Sequence, residues 1–422
     1  MNSNTTLVTE KPLSSTWSGL AKHLLFKLLS QLEQGHLTII EGDTTYTFGY
    51  AGSHLHAQVT VHDPAIYGRI LLGGGSLAAG ETYVEGLWDT PDLTKAVQLL
   101  VRNRAVLDGL DHGFSFFSQW GHRIAHTLRP NSKSGSKKNI VAHYDLGNDF
   151  YRLFLDDTMM YSSAVFPTTQ TSLYEAQIHK LDAICQRLDL KPGETLMEIG
   201  TGWGGLAVHA ATHYGVKVTT TTISDAQYAY VERLIQERGL QNQITLLKQD
   251  YRELSGQFDK LVSVEMIEAV GHQHLGQFFQ VCNKLLKPSG RLLIQAITIA
   301  DQRYDRYRKQ ADFIQRYVFP GGFLPSITVM SERMTRFSDL KITGLTDIGL
   351  DYALTLRHWS ERLEAKKDQL ASLGLDERFY RLWQFYLRYC EGGFRERLIS
   401  TVHLVADKPE YVNEQHPAFC MA

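Results

Sequence analysis

From Ser14 onward apolar residues recur at helical spacing: Trp17, Leu20, Ala21, Leu24, Leu25, Leu28, Leu29 and Leu32, with Lys22, His23 and Lys27 between them. The pattern predicts an amphipathic helix that packs on its own domain or lies on a lipid surface. Residues 1–13, polar throughout, read as frayed. Short apolar runs at Leu37–Ile40, Tyr46–Phe48 and Ala57–His62, set apart by Glu-Gly-Asp and Gly-Ser turns, read as strands. Between Gly73 and Asp89, Tyr83 and Trp88 stand among small residues, as in a helix packed closely on a sheet. These elements predict a small α+β domain over residues 1–130. Residues 131–140, rich in Ser, Gly and Lys, read as a linker, a solvated connector whose lysines also suit anionic head groups.

After residue 140 the pattern changes. Strand-like runs at Thr195–Ile199, Val216–Thr222, Ile244–Leu247, Lys260–Val264 and Arg291–Ile297 alternate with helical stretches such as Asp225–Arg238 and His274–Leu286. Lys287-Pro288-Ser289-Gly290 reads as a helix stop. Alternation of this kind predicts an α/β, doubly wound, mostly parallel sheet with ligands at the carboxyl ends of its strands. The first strand runs into Glu198-Ile199-Gly200-Thr201-Gly202-Trp203-Gly204-Gly205, a turn that opens onto a helix N-terminus with free N–H groups. Without a Lys-Ser/Thr pair it is no nucleoside triphosphate loop, and a tight strand-to-helix connection with no ligand is the plain alternative. The second strand ends at Thr222-Ile223-Ser224-Asp225-Ala226-Gln227, where Ser224 and Gln227 match a capping box.

At 422 residues the chain exceeds a typical single core, which favours two domains. A net charge of −2 gives no electrostatic footprint for nucleic acid. The 4 cysteines form no Cys-x-x-Cys pair and no metal-ligand spacing, so neither a disulfide framework nor a metal is expected, and a reducing cytoplasm is. No apolar run reaches the length of a membrane span, and the N-terminus lacks a basic-then-apolar signal. The expectation is a cytoplasmic protein, peripheral at the inner membrane surface.

The Glu-x-Gly-x-Gly loop resembles that of class I S-adenosylmethionine-dependent methyltransferases. Tyr144-Asp145-Leu146-Gly147-Asn148-Asp149, followed by Tyr161-Ser162-x-Ala164 and then the glycine loop, is similar to the cyclopropane-fatty-acyl-phospholipid synthase family, which includes the mycolic-acid methyltransferases. The likeness runs from about Gly80 to Arg397. It implies a class I methyltransferase fold (Rossmann-like) over residues 141–422, with a lid insertion at about 298–350 and a lipid-associated N-terminal domain. It assigns Tyr161, Ser162, Glu198, Gly200, Thr201, Gly202, Trp203, Gly204, Thr222, Ile223, Ser224, Gln227, Asp250 and Tyr251 to S-adenosylmethionine. It also assigns Glu268 and Tyr352 to a bicarbonate ion that serves as general base, Cys390 to the active-site cysteine, and Tyr317, Phe319 and Gly322 to the acyl-chain wall and lid. Read from residue type alone, Glu268 is equally a loop acid and Cys390 a small core residue.

Two positions depart from the family pattern: Ser163 stands where many members have cysteine, and Gln295 where they have histidine. Both can donate hydrogen bonds to an anion, and neither offers a positive charge. The implied reaction moves a methylene from S-adenosylmethionine onto a cis double bond of phospholipid acyl chains. The methyl is transferred first, leaving a carbocation, and the base then removes a proton to close a cyclopropane. Tyr161, Phe166, Tyr317 and Phe319 are candidate aromatic faces for the cation. Rival readings are a methyl- or methylene-branched product, a non-catalytic lipid-binding protein on the same fold, and a small-molecule methyltransferase. A homodimer is left open.

Overall fold

The computed structural model describes residues 15–104, 106, 108–109, 147–309 and 312–412. The stretch expected as a linker and the Tyr144–Leu146 part of the family motif lie outside them. The chain forms two compact units: residues 1–122 with 377–385, and residues 123–376 with 386–422.

In the first unit, helix α1 (Ser15–Leu29) precedes strands β1 (His36–Glu41), β2 (Thr44–Gly49) and β3 (His56–Val61). Helices α2 (Ala65–Gly73) and α3 (Ser76–Val84), the short strand β4 (Trp88–Asp89) and helix α4 (Leu93–Arg102) complete it. The sheet order is β2-β1-β3-β4, with β1 and β3 parallel and the other pairs antiparallel. Leu25 and Leu29 of α1 are buried while Leu20 is 53% exposed, so the apolar stripe is mainly core. The expected helix within 73–89 is α3. Trp88, buried, donates its indole N–H to Ala79 O at 3.0 Å and Thr82 Oγ1 at 3.1 Å, which satisfies a polar group that burial would otherwise penalise.

In the second unit, α5 (Asn148–Phe154) and α6 (Leu173–Arg187) lead into β5 (Thr195–Ile199), α7 (Gly205–Tyr214), β6 (Lys217–Thr221), α8 (Asp225–Glu237), β7 (Ile244–Leu247) and β8 (Phe258–Val264). Then come α9 (Leu275–Leu285), β9 (Leu286–Ile299), α10 (Asp301–Tyr307), α11 (Phe313–Tyr317) and α12 (Ile327–Phe337). The unit ends with β10 (Lys341–Asp347), α13 (Gly349–Ala365), α14 (Glu377–Arg395, whose first turns belong to the first unit) and β11 (Ile399–Asp407). The sheet order is β10-β11-β9-β8-β5-β6-β7. The five strands from β9 to β7 are parallel; β11 pairs antiparallel with β9 and β10 antiparallel with β11. This is the class I methyltransferase α/β fold. Apolar side chains fill both faces, Leu261, Leu292 and Ile294 on one side and Leu196, Val262 and Leu293 on the other, as a parallel sheet sandwiched by helices requires.

Two local expectations change. Lys287–Gly290 belongs to β9 instead of lying between a helix and a strand. The stretch 298–350 carries α10, α11 and α12, yet it ends in β10, the outer strand of the main sheet. Strand order reverses between β5 and β8, because β6 lies on one side of β5 and β8 on the other. A doubly wound sheet opens its ligand crevice at such a point, here at the carboxyl ends of β5 and β8.

Candidate functional site

The glycine loop has the backbone its composition predicts. Gly200, Gly202 and Gly204 have φ of 99°, 52° and 85°, values that glycine adopts without a Cβ penalty. A Cβ on Gly200 would meet Met266 at 3.3 Å, whereas one on Gly202 would meet nothing within 4 Å. Thr201 is buried, and its hydroxyl has no partner among the described residues. An orphan hydroxyl between positive-φ glycines at a strand end fits a polar ligand close to the backbone. Trp203 donates to Asn148 Oδ1 at 2.9 Å, and its ring lies 4.8 Å from that of Tyr151. Glu198, at the end of β5, accepts from Thr220; burial pushes its pKa up to about 8 against the lowering effects of Thr220 and Lys180.

The capping-box expectation at Ser224 is half met. Ser224 Oγ accepts from Gln227 N at 3.3 Å, but the Gln227 side chain turns back to accept from Thr222 Oγ1 at 2.8 Å. Ile223 is half-buried between them. Asp250 grips Arg252 through Nε at 2.7 Å and Nη2 at 2.6 Å, so much of its carboxylate is committed within its own turn. Tyr251 packs edge-on against Phe278 at 5.7 Å.

The stretch around Tyr161 is irregular backbone pinned from several sides. Ala164 N donates to Thr355 Oγ1 at 3.0 Å, Phe166 N donates to Asp351 Oδ1 at 2.8 Å, and Gln177 Nε2 donates to Ser162 O at 3.0 Å. Lys180, fully buried, donates to Ser162 Oγ at 3.0 Å. The Tyr161 ring lies 5.2 Å from Trp359 and stacks toward Phe319 at 6.3 Å, and its hydroxyl meets Tyr386 Oη at 3.1 Å. Phe319 also meets the Tyr386 ring at 5.9 Å. Of the four aromatic residues expected to face a cation, Tyr161 and Phe319 come together. Phe166 stacks on His358 at 5.4 Å, and Tyr317 packs on Phe313 at 5.0 Å. Gly322 accepts from Gln315 at 2.9 Å, which folds the strap after α11.

The carboxylate that gathers the expected anion contacts is Glu265. Its Oε1 accepts from Ser163 N at 2.9 Å and Gln295 Nε2 at 2.8 Å, and its Oε2 accepts from Tyr352 Oη at 2.8 Å. The Ser163 hydroxyl, expected to serve an anion, instead donates to Ala164 O at 2.9 Å; only the Ser163 backbone reaches the site. Tyr352 was expected beside Glu268, and its hydrogen bond goes to Glu265. Glu268 Oε1 accepts from Ile297 N at 2.6 Å, its Oε2 has no partner among the described residues, and its carbonyl receives Phe323 N at 2.9 Å. Glu268 thereby ties the Phe319–Phe323 strap to the site floor.

Burial pushes both carboxyls upward. Glu265 is held back by hydrogen bonds from Ser163, Gln295 and Tyr352 and by the Lys180 charge. Glu268 feels the Glu265 charge and is opposed only by backbone N–H groups, those of Ile297 and of Glu268 itself, so it rises to about 8. Lys180 is pushed down to about 8 by burial, opposed by Glu265, Asp156 and Glu198. Cys390 is half-buried with its thiol pushed well up by burial and by Asp312; a neutral thiol is a poor nucleophile. A separately bound bicarbonate does not fit beside these groups. The Ser163, Gln295 and Tyr352 donors are engaged by Glu265, and an added anion would sit against two carboxyls.

Glu265, Lys180 and Trp359 were missed in the sequence. Lys180 left a trace, since Leu173, Ala176, Gln177, Lys180, Leu181 and Ile184 form one helical face and all are buried. Glu265 lies directly after β8, and sequence reveals neither its φ of 48° nor the distant donors that it meets. Among the described residues no cluster suited to a metal and no helix long and apolar enough to cross a membrane occurs.

Residues 131–404 match the family described as mycolic acid cyclopropane synthetase. The chain is 34% identical over 395 residues to the tuberculostearic acid methyltransferase of Mycobacterium tuberculosis, covering 91% of this chain and 90% of that protein. It is 36% identical over 351 residues to the cyclopropane-fatty-acyl-phospholipid synthase of Escherichia coli K12, covering 83% and 87%. Among solved structures, a mycolic acid cyclopropane synthase complexed with SAH and CTAB matches with a TM-score of 0.61 at 33% identity, over 64% of this chain and 98% of that one. The fold, the glycine loop and these matches agree: the chain belongs to the cyclopropane fatty acid synthase family of S-adenosylmethionine-dependent methyltransferases, which carry out methylene or methyl transfer to fatty acyl chains.

Proposed function

We propose that the protein transfers a methylene from S-adenosylmethionine to the cis double bond of unsaturated phospholipid acyl chains at a membrane surface, forming a cyclopropane ring. The observation that carries this reading is a half-buried carboxylate set within one aromatic enclosure: Glu265 on Tyr352, with Tyr352 stacked on Phe394 at 4.6 Å and edge-on to Trp359 at 6.0 Å, and Tyr161 and Phe319 beyond. A carbocation in an acyl chain needs electron-rich faces, exclusion of water and a nearby base, and this enclosure supplies all three. The donor contributes an electrophilic methyl on a sulfonium. Thr201, the glycine backbone from Gly200 to Gly204, Glu198 and the Thr222–Gln227 stretch hold the donor, and the Tyr161–Ser162 pair covers it. The Phe319–Gly322 strap forms the acyl-chain wall.

A second reading, a methyl- or methylene-branched product, is favoured by the match to a tuberculostearic acid methyltransferase across 91% of the chain. The fate of the cation depends on which C–H bond faces the base. Incubation with S-adenosylmethionine and vesicles of monounsaturated phospholipid, followed by proton NMR of the acyl chains, tests both. Upfield ring protons support the first reading, vinylidene or branched-methyl signals support the second, and unchanged alkene refutes both.

A further inference from the structure

We infer that Glu265 is the resident base of this enzyme, standing on the donors that would otherwise hold a bicarbonate and removing the proton after methyl transfer. The inference rests on the proposed methyl transfer to an acyl double bond.

Three features of the geometry point to it. First, among the described residues every group that bonds the Glu265 carboxyl donates: a backbone N–H, an amide NH₂ and a phenol. Ser163 N–H and the Gln295 NH₂ can only donate, so they hold Oε1 as an ionised acceptor, while the phenol on Oε2 can accept as well as donate and so tolerates the proton once it is taken up. Second, a carboxylate has about four lone-pair sites. Oε1 takes two donors and Oε2 one, which leaves a lone pair on Oε2 beside Tyr352 for an incoming proton. Third, the residue is held there at a cost. Glu265 has φ of 48°, in the left-handed region that disfavours L side chains by roughly 1–2 kcal/mol. Its N–H donates to Gln295 O at 2.8 Å, so the strained residue is fastened to the same position whose side chain grips its carboxylate. A loop acid with no task would relax to a commoner conformation and reach water.

Glu268 takes the complementary role. It lies in the same cluster, receives only backbone donors and leaves an oxygen without a partner among the described residues. Two neighbouring carboxyls with different hydrogen-bond support divide into one ionised and one neutral group, which is how paired acids acquire separate roles.

The step balances as follows. The alkene π pair forms the bond to the methyl carbon while the C–S bond breaks and its pair remains on sulfur, leaving a cation on the far alkene carbon. Glu265 then takes a proton from the new methyl, and the released C–H pair closes onto the cationic carbon. The carboxyl afterwards returns the proton to solvent. If a 1,2-hydride shift first moves the cation to the methyl-bearing carbon, removal of a methyl proton by the same carboxylate gives a methylene branch, so the assignment holds for the ring and for the methylene-branched product.

The test uses the full chain, S-adenosylmethionine and monounsaturated phosphatidylethanolamine vesicles, in buffer stripped of carbon dioxide and in the same buffer with added bicarbonate. Wild type is expected to work equally in both. Glu265→Gln, nearly isosteric, is expected to lose about 10²–10⁴-fold in product formation, the range a positioned base supplies, while S-adenosylmethionine binding by equilibrium dialysis is retained. Glu265→Gly suits the φ of 48° and frees the donors, so it keeps the fold and is expected to recover activity when bicarbonate or formate is added. Wild type that stops without bicarbonate and restarts with it overturns the inference, as does a Glu265→Gln variant at full rate. Failure of wild type to alkylate any chain refutes the underlying reading instead, and is distinguished by the absence of S-adenosylhomocysteine.

Discussion

Removing the Tyr352 hydroxyl tests the electrostatics of the site with little change in shape. Phenylalanine keeps the ring stacked on Phe394 at 4.6 Å and edge-on to Trp359 at 6.0 Å, and deletes only the 2.8 Å hydrogen bond to Glu265 Oε2. A hydrogen bond to a charged group contributes about 1.5–3 kcal/mol, and a pKa unit corresponds to about 1.4 kcal/mol. Burial raises the Glu265 pKa, and Tyr352 is one of the groups that lower it, so its loss moves that pKa further upward. The base is then protonated over more of the neutral range. In Tyr352→Phe the single-turnover rate near neutral pH should fall by roughly 10–100-fold and recover as pH rises, with the acidic limb of the pH–rate profile displaced upward. Glu268 and Lys180 titrate in the same cluster, so the displacement between wild type and variant is the quantity to read. An undisplaced limb at full rate, or an equal loss at every pH, would refute the reasoning.

Glu268 has its pKa pushed up to about 8 from an ordinary 4.5, so its contribution to stability is complete below that ordinary value and is lost as pH rises through about 8. Glu268→Gln should therefore gain on wild type in urea unfolding as pH rises, by about 1.4 kcal/mol per unit until the folded pKa is passed; a gap that stays constant with pH rules this out. Lys180→Met removes the buried cation from Glu265, Asp156 and Glu198 and should cost roughly 3–5 kcal/mol at pH 7 by chemical denaturation, with a smaller cost above pH 8. Gly200→Ala, at φ 99° with its Cβ 3.3 Å from Met266, should weaken S-adenosylmethionine binding by about tenfold or more, measured by calorimetry. Asn103 accepts from Glu33 N and Gln34 N and donates to Gln34 O and Leu99 O, so Asn103→Ala should destabilise the first unit by about 2–4 kcal/mol without changing S-adenosylmethionine affinity.

The sheet was legible because its signals are local. The run from Thr195 to Ile199 is a strand with the predicted bounds, and the glycines after it need their positive φ wherever the rest of the chain goes. The site was legible only as a set of positions. Ser163, Gln295 and Tyr352 do meet, on elements far apart in sequence, but around Glu265 and not in a space beside Glu268. Which of two acids three residues apart gathers the donors depends on one left-handed residue at the end of β8. No periodicity encodes that. The Ser163 side chain was misjudged for a related reason, since a hydroxyl beside a carbonyl can satisfy itself locally and leave the backbone N–H to face the site.

The amide at position 295 gains its meaning from what stands behind it. Arg187 contacts His403 Nδ1, and a guanidinium can only donate, so Nδ1 accepts and the ring hydrogen lies on Nε2. That nitrogen donates to Gln295 Oε1 at 2.8 Å, which fixes the amide with its NH₂ toward Glu265 Oε1. His403 is fully buried and its pKa is pushed down to about 3 by burial, Arg187 and Lys180, so the relay transmits orientation without a charge. A protonated histidine at position 295 would form an ion pair with Glu265 and drain its basicity. A neutral amide, oriented from behind, holds the carboxylate in place and leaves it able to accept a proton. The glutamine and the glutamate therefore belong to one device: a charged donor suits an ion that must be captured from solution, and a neutral donor suits an anion already tethered to the chain.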